Sequence, residues 1–424
     1  MTTSPYPKLR PLDVRPVTQH GQPALLLRDP LALSEHTLII PQALAPLLVV
    51  CDGTRDVHEL RVALALRFGL RVSADVMAQI LATLDKVLLL DNARFAEAHE
   101  QALAAYRAAP FRPPALAGTS YPDEPSELRR ILQAYEEGVD APVAATDGVR
   151  GLVSPHIDYA RGGPVYARVW GRAAEAVRAA DLVVLLGTDH LSEERGVVTL
   201  TRQHYATPFG VLPTAVDVVD ALAEALGAET AFAEELHHRS EHSIELAAVW
   251  LHYIRGGAAC PLVPVLCGSF APFVEEQATV EEDAQVAALV RVLRPILAGR
   301  RAVVVAAGDL AHVGPAFGGP PVDVVGRGRL RAADDALVGR VSAGDAAGFF
   351  NEIRRAGDRN NVCGLPPIYL LLRLLEPVTG ERVAYAHCPA DGEGTSLVSI
   401  CGVVLGRGVT APAGPPQTGE NDDW

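Results

Sequence analysis

The chain has 424 residues, of which 49% are hydrophobic and 21% charged, and its formal net charge at pH 7 is −14. These proportions are typical of a globular protein with two or three domains and exclude a disordered chain. The acidic balance argues against nucleic acid or anionic lipid as the main binding partner.

No segment approaches the roughly 20 consecutive apolar residues of a membrane span, and the N-terminal residues have no apolar core typical of a signal peptide. The six cysteines form no CxxC pair and are too scattered for a disulfide framework in a chain of this length. We therefore expect a cytoplasmic protein that binds neither membranes nor nucleic acid.

Residues 1–110 are predicted to form a small domain of their own. Asp56-Val-His-Glu59 is a capping-box pattern that opens a helix ending near Gly69. Ser73 can cap a second helix, whose apolar residues recur at helical spacing. The run LLLDNARF (88–95) then reads as a short strand or wing. Helix, turn, helix and wing together outline a winged helix-turn-helix.

The second of these helices carries a single basic residue, Lys86, and so makes a poor reader of the DNA major groove. The run DGTRDVHELRVALALRFGLRVSADVMAQILATLDKVLLL (52–90) resembles small PqqD-like domains. That resemblance implies a peptide or protein client for the N-terminal domain. The alternative is an interaction or packing domain that carries no chemistry.

From residue 111 to 406, short apolar runs alternate with helical stretches. Candidate strands are GLVSP (151–155), DLVVLLG (181–187), PLVPVL (261–266), RAVVVAAG (301–308), RVAYAHC (382–388) and SLVSICGVV (396–404). Candidate helices lie near 164–180, 214–226, 240–254, 280–298, 328–356 and 366–375. Continuous Val and Leu runs predict strands buried on both faces, hence an α/β fold with a central, largely parallel sheet flanked by helices. Residues 407–424 are predicted to be a disordered tail.

Three of the predicted strands end in residues of the type that bind metals. His156 follows the first, His190 the second, and Asp309 and His312 the fourth in chain order. Ligands of open α/β sheets gather beyond the carboxyl ends of the strands. One such histidine is usually a hydrogen-bonded loop residue, but three strand ends together favour a metal site.

Gly187 and Gly308 stand just before two of these clusters, at positions where close backbone approach is expected. No GxxxxGK[ST] loop and no convincing GxGxxG follows a strand, so nucleotide cofactors are not expected. The absence of HExxH and of GxSxG excludes a zincin protease and weakens the case for a serine hydrolase.

A further polar cluster occupies residues 237–245, HHRSEHSIE. If Ser240 opens a helix, Glu241 and Glu245 stand one turn apart, and His242 lies at the helix start beside the predicted site. The alternative is a solvated, capped helix end. Cys363 precedes another predicted helix, where a thiolate has a lowered pKa and can bind metal or attack an electrophile. The alternative for this cysteine is an inert, buried thiol.

Eight segments together resemble the Memo family, known in prokaryotes as protein B of the AmmeMemoRadiSam system. They match in order and approximate spacing across residues 115 to 406: AGTSYP (117–122), SPHIDYARGG (154–163), LLGTDH (185–190), YATPFG (205–210), SEHSIE (240–245), VPVLCG (263–268), GDLAHVG (308–314) and NVCG (361–364).

The resemblance implies a fold related to class III extradiol dioxygenases and a metal site of His156, His190 and Cys363. It also implies that Asp309, His312 and His242 line the same pocket, where we assign them catalytic roles. Iron or copper is the metal implied, and radical-SAM and AMMECR-type proteins are the implied partners.

Two residues depart from the pattern of that family. Asp158 stands where the family commonly has Gly, and Asp189 where it commonly has Ser. Two carboxylates beside the metal would favour Fe(II), Mn(II) or Zn(II) over Cu(I), so Fe(II) is the expected ion, with Cu, Zn and Mn as alternatives. The same carboxylates could instead accept hydrogen bonds from the imidazoles.

Three functions follow as hypotheses. The first is a non-haem metal-dependent redox enzyme, with His242 or His312 as general acid or base. The second is a non-catalytic protein that binds metal or peptide for a radical-SAM partner. The third is a hydrolase or lyase with Cys363 as nucleophile and His242 or His312 as base.

Overall fold

The computed structural model describes residues 5–34, 36–139, 148–192 and 196–407. The chain divides into two compact units, Met1–Ala108 and Ala109–Trp424. Of the tail predicted to be disordered, all but Arg407 lies outside the described residues. No helix in the described ranges is both long and apolar enough to cross a membrane.

The first unit is an antiparallel sheet followed by helices. Its strands, in the order β1-β2-β3, and its helices are β1 (Asp13–Gln19), β2 (Gln22–Arg28), β3 (Leu38–Pro41), α1 (Ala45–Val50), α2 (Val57–Phe68), α3 (Ala74–Lys86) and α4 (Ala93–Ala108). The predicted capping box of α2 is present, because Asp56 accepts from the Glu59 N–H and Glu59 accepts from the Asp56 N–H. Ser73 caps α3, as predicted.

The segment 88–95, predicted as a short strand or wing, is extended at one point only. Leu90 forms a single β-bridge with Leu9. Asn92 then accepts a hydrogen bond from the Phe95 N–H at 3.1 Å and starts α4. A capping side chain so soon after the apolar run leaves no room for a second strand. The three strands of this unit precede its helices, and the bridge at Leu90 is the extended part of the segment that follows α3.

The second unit is built on an eight-stranded sheet and a separate two-stranded ribbon, β7-β8. Its strands are β4 (Val149–Ser154), β5 (Leu182–Thr188), β6 (Val198–Leu200), β7 (Tyr205–Thr207), β8 (Gly210–Leu212), β9 (Leu262–Cys267), β10 (Ala302–Ala307), β11 (His312–Val313), β12 (Thr379–Pro389) and β13 (Leu397–Gly406). The order in the large sheet is β11-β13-β4-β10-β5-β9-β6, with β12 paired to β13.

Helices cover this sheet and alternate with its strands along the chain. They are α5 (Pro125–Glu137), α6 (Tyr159–Arg172), α7 (Ala174–Ala179), α8 (Val216–Leu226), α9 (Ala228–Ala231), α10 (His242–Ile254), α11 (Ala271–Val274), α12 (Ala284–Gly299), α13 (Val324–Ser342), α14 (Ala346–Arg355) and α15 (Leu365–Leu375). The helix predicted at 328–356 is two helices, since Gly344 lies between them with φ of +71°.

Strand β5 illustrates why the central strands read as unbroken apolar runs. Leu182, Val184 and Leu186 pack with residues of α8, α12, α14 and α15. Val183 and Leu185 pack with residues of α5, α6, α7 and α10. Alternate side chains of one strand thus enter two different cores, so both must be apolar. The predicted α/β class is confirmed.

The four central strands β4, β10, β5 and β9 are parallel to one another, and antiparallel strands flank them on both sides. The carboxyl ends of the central strands therefore meet at one side of the sheet. Strand β10 lies between β4 and β5. Residues that follow these three strands are neighbours in space although they are far apart in sequence.

Candidate metal centre

Residues that follow β4, β10 and β5 converge at the carboxyl edge of the sheet. Asp309, after β10, accepts a hydrogen bond at Oδ1 from the backbone N–H of His156, after β4, at 2.9 Å. Donor atoms of His156, His190 and His242 all lie within 4.8 Å of one another. The three strand ends singled out from the sequence therefore supply one site, and His242 joins it from α10.

His156 is buried, and one of its ring nitrogens is already engaged. Its Nδ1 lies 3.0 Å from the backbone oxygen of Ala307, a hydrogen bond that requires the proton on Nδ1. The lone pair is then on Nε2, which is 3.2 Å from Sγ of Cys363 and 3.8 Å from Oδ2 of Asp309. The ring is thus held in the tautomer that can bind a metal ion through Nε2.

One carboxylate anchors the other two imidazoles. Glu241 Oε1 lies 3.1 Å from Nδ1 of His190 and 3.0 Å from Nδ1 of His242. The two rings stack, with centroids 4.7 Å apart, and both stand edge-on to the ring of His156. Because the Glu241 carboxylate accepts a hydrogen bond from Nδ1 of both residues, the lone pairs of their Nε2 atoms are also available to a metal ion.

The start of α10 differs by one residue from the sequence expectation. Glu241, not Ser240, is the N-cap, since its carboxylate accepts from the N–H groups of His242 and Ser243. The helix end approaches β5 closely at Gly187, where a Cβ would lie 2.5 Å from Oγ of Ser243. The predicted close approach at Gly187 therefore brings Glu241 and His242 to the end of β5.

Cys363 reaches the site through a second close approach. It precedes α15, and the N–H of Gly364 donates to the backbone oxygen of Asp309 at 2.8 Å. A Cβ on Gly308 would lie 2.6 Å from Cα of Gly364, so neither glycine has room for a side chain. The Cys363 thiol is half-buried and contacts His156.

The charges of the site shift the protonation of its members. Burial raises the pKa of the Cys363 thiol, but His156 and His190 outweigh burial and leave the pKa below its ordinary value. Burial lowers the pKa of His156. For His190 burial also lowers the pKa, but Glu241 and Cys363 outweigh it and raise the pKa well above its ordinary value. The arrangement favours a thiolate beside imidazole groups.

Asp309 and His312 lie beside this group. Burial raises the pKa of the Asp309 carboxyl, although neighbouring imidazoles oppose the rise. His312 interacts electrostatically with Asp309. The Nδ1 atom of His312 lies 3.2 Å from the backbone oxygen of Asn361. Burial lowers the pKa of His312. His312 is not one of the three imidazoles whose donor atoms cluster.

The two carboxylates that depart from the family pattern have other partners. Asp158 is the N-cap of α6 and forms an ion pair with Arg161. Asp189 accepts at Oδ2 from Nδ1 of His237, at 2.8 Å. Asp189 therefore accepts a hydrogen bond from an imidazole, which was one of the two roles considered for it. The imidazole belongs to His237, which is not one of the three clustered histidines.

An open pocket of about 400 Å³ leads to this centre. Its lining includes His190 and Cys363 from the centre, together with Phe270, Val274 and Leu365. The size is within the range of small-molecule sites in proteins, about 300–1,000 Å³. A small organic molecule in the pocket would contact both an imidazole and the thiol.

Two features of the site escaped the sequence reasoning. One is the role of Glu241 as the shared anchor of His190 and His242, although the sequence Ser-Glu-His was already singled out. The other is the backbone oxygen of Ala307, which orients His156 and carries no side-chain signal. Backbone acceptors cannot be read from residue types, because every residue has one.

Comparison with known proteins gives a consistent family. The model of the Memo-like protein family matches residues 112–404. A MEMO1 family protein of Aquifex aeolicus is 27% identical over 314 residues, covering 74% of this chain and 77% of its own length. A MEMO1 family protein of Methanosarcina acetivorans is 28% identical over 300 residues, covering 70% of this chain and 99% of its own.

The match covers more than half of the chain and includes His156, His190, His242, Asp309 and Cys363. It begins beyond the first unit, which ends at Ala108. The resemblance drawn from eight short segments is confirmed, and the chain belongs to the Memo-like family.

Proposed function

We propose that this protein binds a metal ion through His156, His190 and Cys363 and uses it in redox chemistry on a small molecule or a peptide. The observation that carries the proposal is the anchoring of the imidazoles at Nδ1 by Ala307 and Glu241. Histidine ligands of metals typically donate one ring N–H to a carboxylate or a backbone oxygen in this way.

The donor set fits a metal ion. Two ligands bound at about 2.1 and 2.3 Å to one tetrahedral ion lie about 3.6 Å apart. Sγ of Cys363 and Nε2 of His156 are 3.2 Å apart, close to that separation. A metal also stabilises the thiolate form, which the neighbouring imidazoles already favour.

The choice of metal follows from two nitrogens and one sulfur. Imidazole and thiolate suit iron, copper and zinc better than manganese, which prefers oxygen. Asp158 and Asp189, which the sequence suggested would harden the site, bond elsewhere. We keep Fe(II) as the proposed ion because a redox role requires an ion that changes its oxidation state.

The remaining polar residues of the site, His242, Asp309 and His312, would then contact the substrate and transfer protons. When bound, the metal would supply a Lewis acid and an electron acceptor or donor for a substrate held in the pocket. His242, with its Nδ1 on Glu241, can hold or move a proton at Nε2. Asp309 lies beside His156 and interacts electrostatically with His312, so this pair can hold a proton next to the metal ligands.

Metal analysis of the anaerobically purified protein tests the binding step. We expect at least one equivalent of iron in the unmodified chain and one equivalent less in a His156→Ala/His190→Ala variant. The matched control is His36→Ala/His58→Ala, which removes two exposed imidazoles from the first unit. Oxygen consumption with a panel of catechols and small thiols then tests the redox step. Equal metal content in both double variants would refute the proposal.

The contact between Cys363 and His156 also supports a second candidate, a cysteine nucleophile with an imidazole partner. The imidazole in contact with the thiol is His156, not the His242 or His312 considered from sequence. The two candidates differ in their response to metal. If the thiol is a ligand, added Fe(II) protects Cys363 from alkylation by iodoacetamide. If it is a free nucleophile, the metal-depleted protein is the active form.

A further inference from the structure

A second group of metal-type side chains stands beside the centre described above and shares no member with it. Donor atoms of Asp189, Glu234 and His237 all lie within 4.8 Å of one another. Asp189 and His237 are buried, whereas Glu234 is half-buried. Glu234 is therefore the most accessible member of the group.

A 3₁₀ turn brings Glu234 and His237 together. The turn covers Glu235–Arg239, and the N–H of His237 donates to the backbone oxygen of Glu234 at 2.9 Å. Side chains three residues apart in a 3₁₀ helix lie one above the other. The spacing Glu-x-x-His in this turn thus presents a carboxylate and an imidazole on the same side.

Asp189 is held rigidly opposite that turn. Its backbone N–H donates to the oxygen of Cys267 at 2.9 Å, and its Oδ1 accepts from the N–H of Leu191 at 3.0 Å. The other oxygen, Oδ2, is then aimed at Nδ1 of His237, 2.8 Å away. Two donors bound at about 2.1 Å to one ion at right angles lie about 3.0 Å apart, close to this separation. An ion bound by both atoms would replace the proton that His237 donates to Asp189, and this proton would be released to solvent.

We propose that Asp189, Glu234 and His237 bind a second divalent cation. One imidazole and two carboxylates suit Mn(II), Zn(II) or Fe(II) and disfavour Cu(I). The two carboxylates together balance the charge of such an ion. The Glu241 carboxylate, which bonds His190, also acts electrostatically on His237 and adds to the attraction.

The two sites share no donor residue, although one donor of each comes from consecutive positions in the chain. Asp189 belongs to the second group and His190 to the first, so the end of β5 would deliver one ligand to each ion. The second site lacks sulfur, whereas the first contains Cys363. That difference makes the two sites distinguishable by spectroscopy, and either site can fail without the other.

Cobalt is a suitable probe, because a thiolate ligand adds a near-ultraviolet charge-transfer band to Co(II) that nitrogen and oxygen ligands do not give. The full-length protein, freed of metal with a chelator and kept reduced, is titrated anaerobically with Co(II). Bound cobalt is counted after gel filtration. We expect two equivalents, of which only one produces the near-ultraviolet band.

The variants separate the two sites. Glu234→Gln and the isosteric Asp189→Asn should each weaken the band-free equivalent more than about 100-fold, the upper end of the loss expected for an outer-sphere partner. The matched control Glu229→Gln, an exposed residue nearby in the chain, should retain both equivalents. Cys363→Ser should abolish the near-ultraviolet band and retain the other equivalent. Circular dichroism verifies that each variant is folded.

Two results would overturn the proposal. One is a single equivalent of cobalt that carries the near-ultraviolet band in the unmodified protein, which would leave the contact between Asp189 and His237 as a structural hydrogen bond only. The other is a band-free equivalent that persists unchanged in both Glu234→Gln and Asp189→Asn. Absence of the near-ultraviolet band alone would instead count against Cys363 as a ligand and leave the second site standing.

Discussion

At the scale of single residues, the Glu241 carboxylate fixes two of the three clustered imidazoles. Glu241→Gln keeps an oxygen that can still accept from the N–H groups at the start of α10, but it removes the charge. We expect metal affinity at the proposed centre to fall by about 10–100-fold, as for other partners of histidine ligands. A competition titration with a chromophoric chelator measures the change.

The control for this variant is Glu224→Gln, which removes the same charge from an exposed position on α8. Its metal affinity should equal that of the unmodified protein. If Glu241→Gln bound metal as tightly as Glu224→Gln, the anchoring by Glu241 would have no part in metal binding.

The buried His238 is expected to make the free energy of unfolding depend on pH. It is fully buried, with Nδ1 2.7 Å from the Tyr205 hydroxyl and Nε2 3.0 Å from the Thr199 backbone oxygen. Burial lowers the pKa of His238 from 6.5 to about 3. Between these values the unfolded chain binds a proton that the folded chain does not. This residue therefore destabilises the fold as pH falls, by up to about 1.4 kcal/mol per pH unit.

Urea unfolding at a series of pH values below 6.5, compared with His238→Asn, checks this contribution. Carboxylates titrate in both proteins, so their effect cancels in the comparison. The unmodified protein should lose stability more steeply than the variant as pH falls. Parallel pH profiles would mean that His238 does not remain neutral in the folded state.

The sequence predicted the position of residues whose type has few uses. His156 and His190 follow strands, and the structure brings them together with His242; their role as metal ligands stays a prediction. Residue types with many uses were harder to place. Asp158 was considered as a neighbour of the metal but caps α6, because a carboxylate after a strand serves either purpose and only its partner decides.

At the scale of elements, the contact between the end of β10 and the start of α15 controls the position of Cys363. A Cβ on Gly364 would lie 2.5 Å from the backbone oxygen of Asp309. Gly364→Ala must therefore push the two segments apart, at a cost of about 1–3 kcal/mol typical of overpacking. We expect a lower unfolding midpoint in urea and loss of the thiolate-to-Co(II) band.

Gly171→Ala is the matched control, because Gly171 lies in α6 and a Cβ there would meet nothing within 4 Å. Alanine at a helical position of this kind should raise stability by up to about 1 kcal/mol. If Gly364→Ala behaved like Gly171→Ala, the close approach between these two elements would be without consequence for the site.

The elements themselves were largely predictable, and the reason is visible in β5. All seven of its residues are buried, so its apolar run contains no polar interruption and reads unambiguously as a strand between two helical layers. The wing expected at residues 88–95 was not predictable in this way. LLLDNARF combines an apolar run with a helix cap, and both are used: Leu90 forms a bridge with Leu9, and Asn92 then starts α4.

At the scale of the whole molecule, every donor of both proposed sites belongs to the second unit. The first unit has its own apolar core, formed by residues of β2, α2 and α3 among others. The relative from Methanosarcina acetivorans is matched over 99% of its length by 300 residues of this chain. A protein of this family therefore exists with almost nothing beyond the matched region.

These facts predict that a fragment of residues 109–407 folds and binds metal like the full chain. Its sheet, its helices and all of its candidate ligands are retained, and the apolar core removed with the first unit belongs to that unit. Far-UV circular dichroism and thermal melting report folding, and metal analysis after anaerobic purification reports binding. The same fragment with His156→Ala/His190→Ala serves as the reference that lacks the proposed centre. A folded fragment with no more metal than this reference would show that the first unit is required for metal loading, and would direct the search for its client toward metal delivery instead of peptide capture.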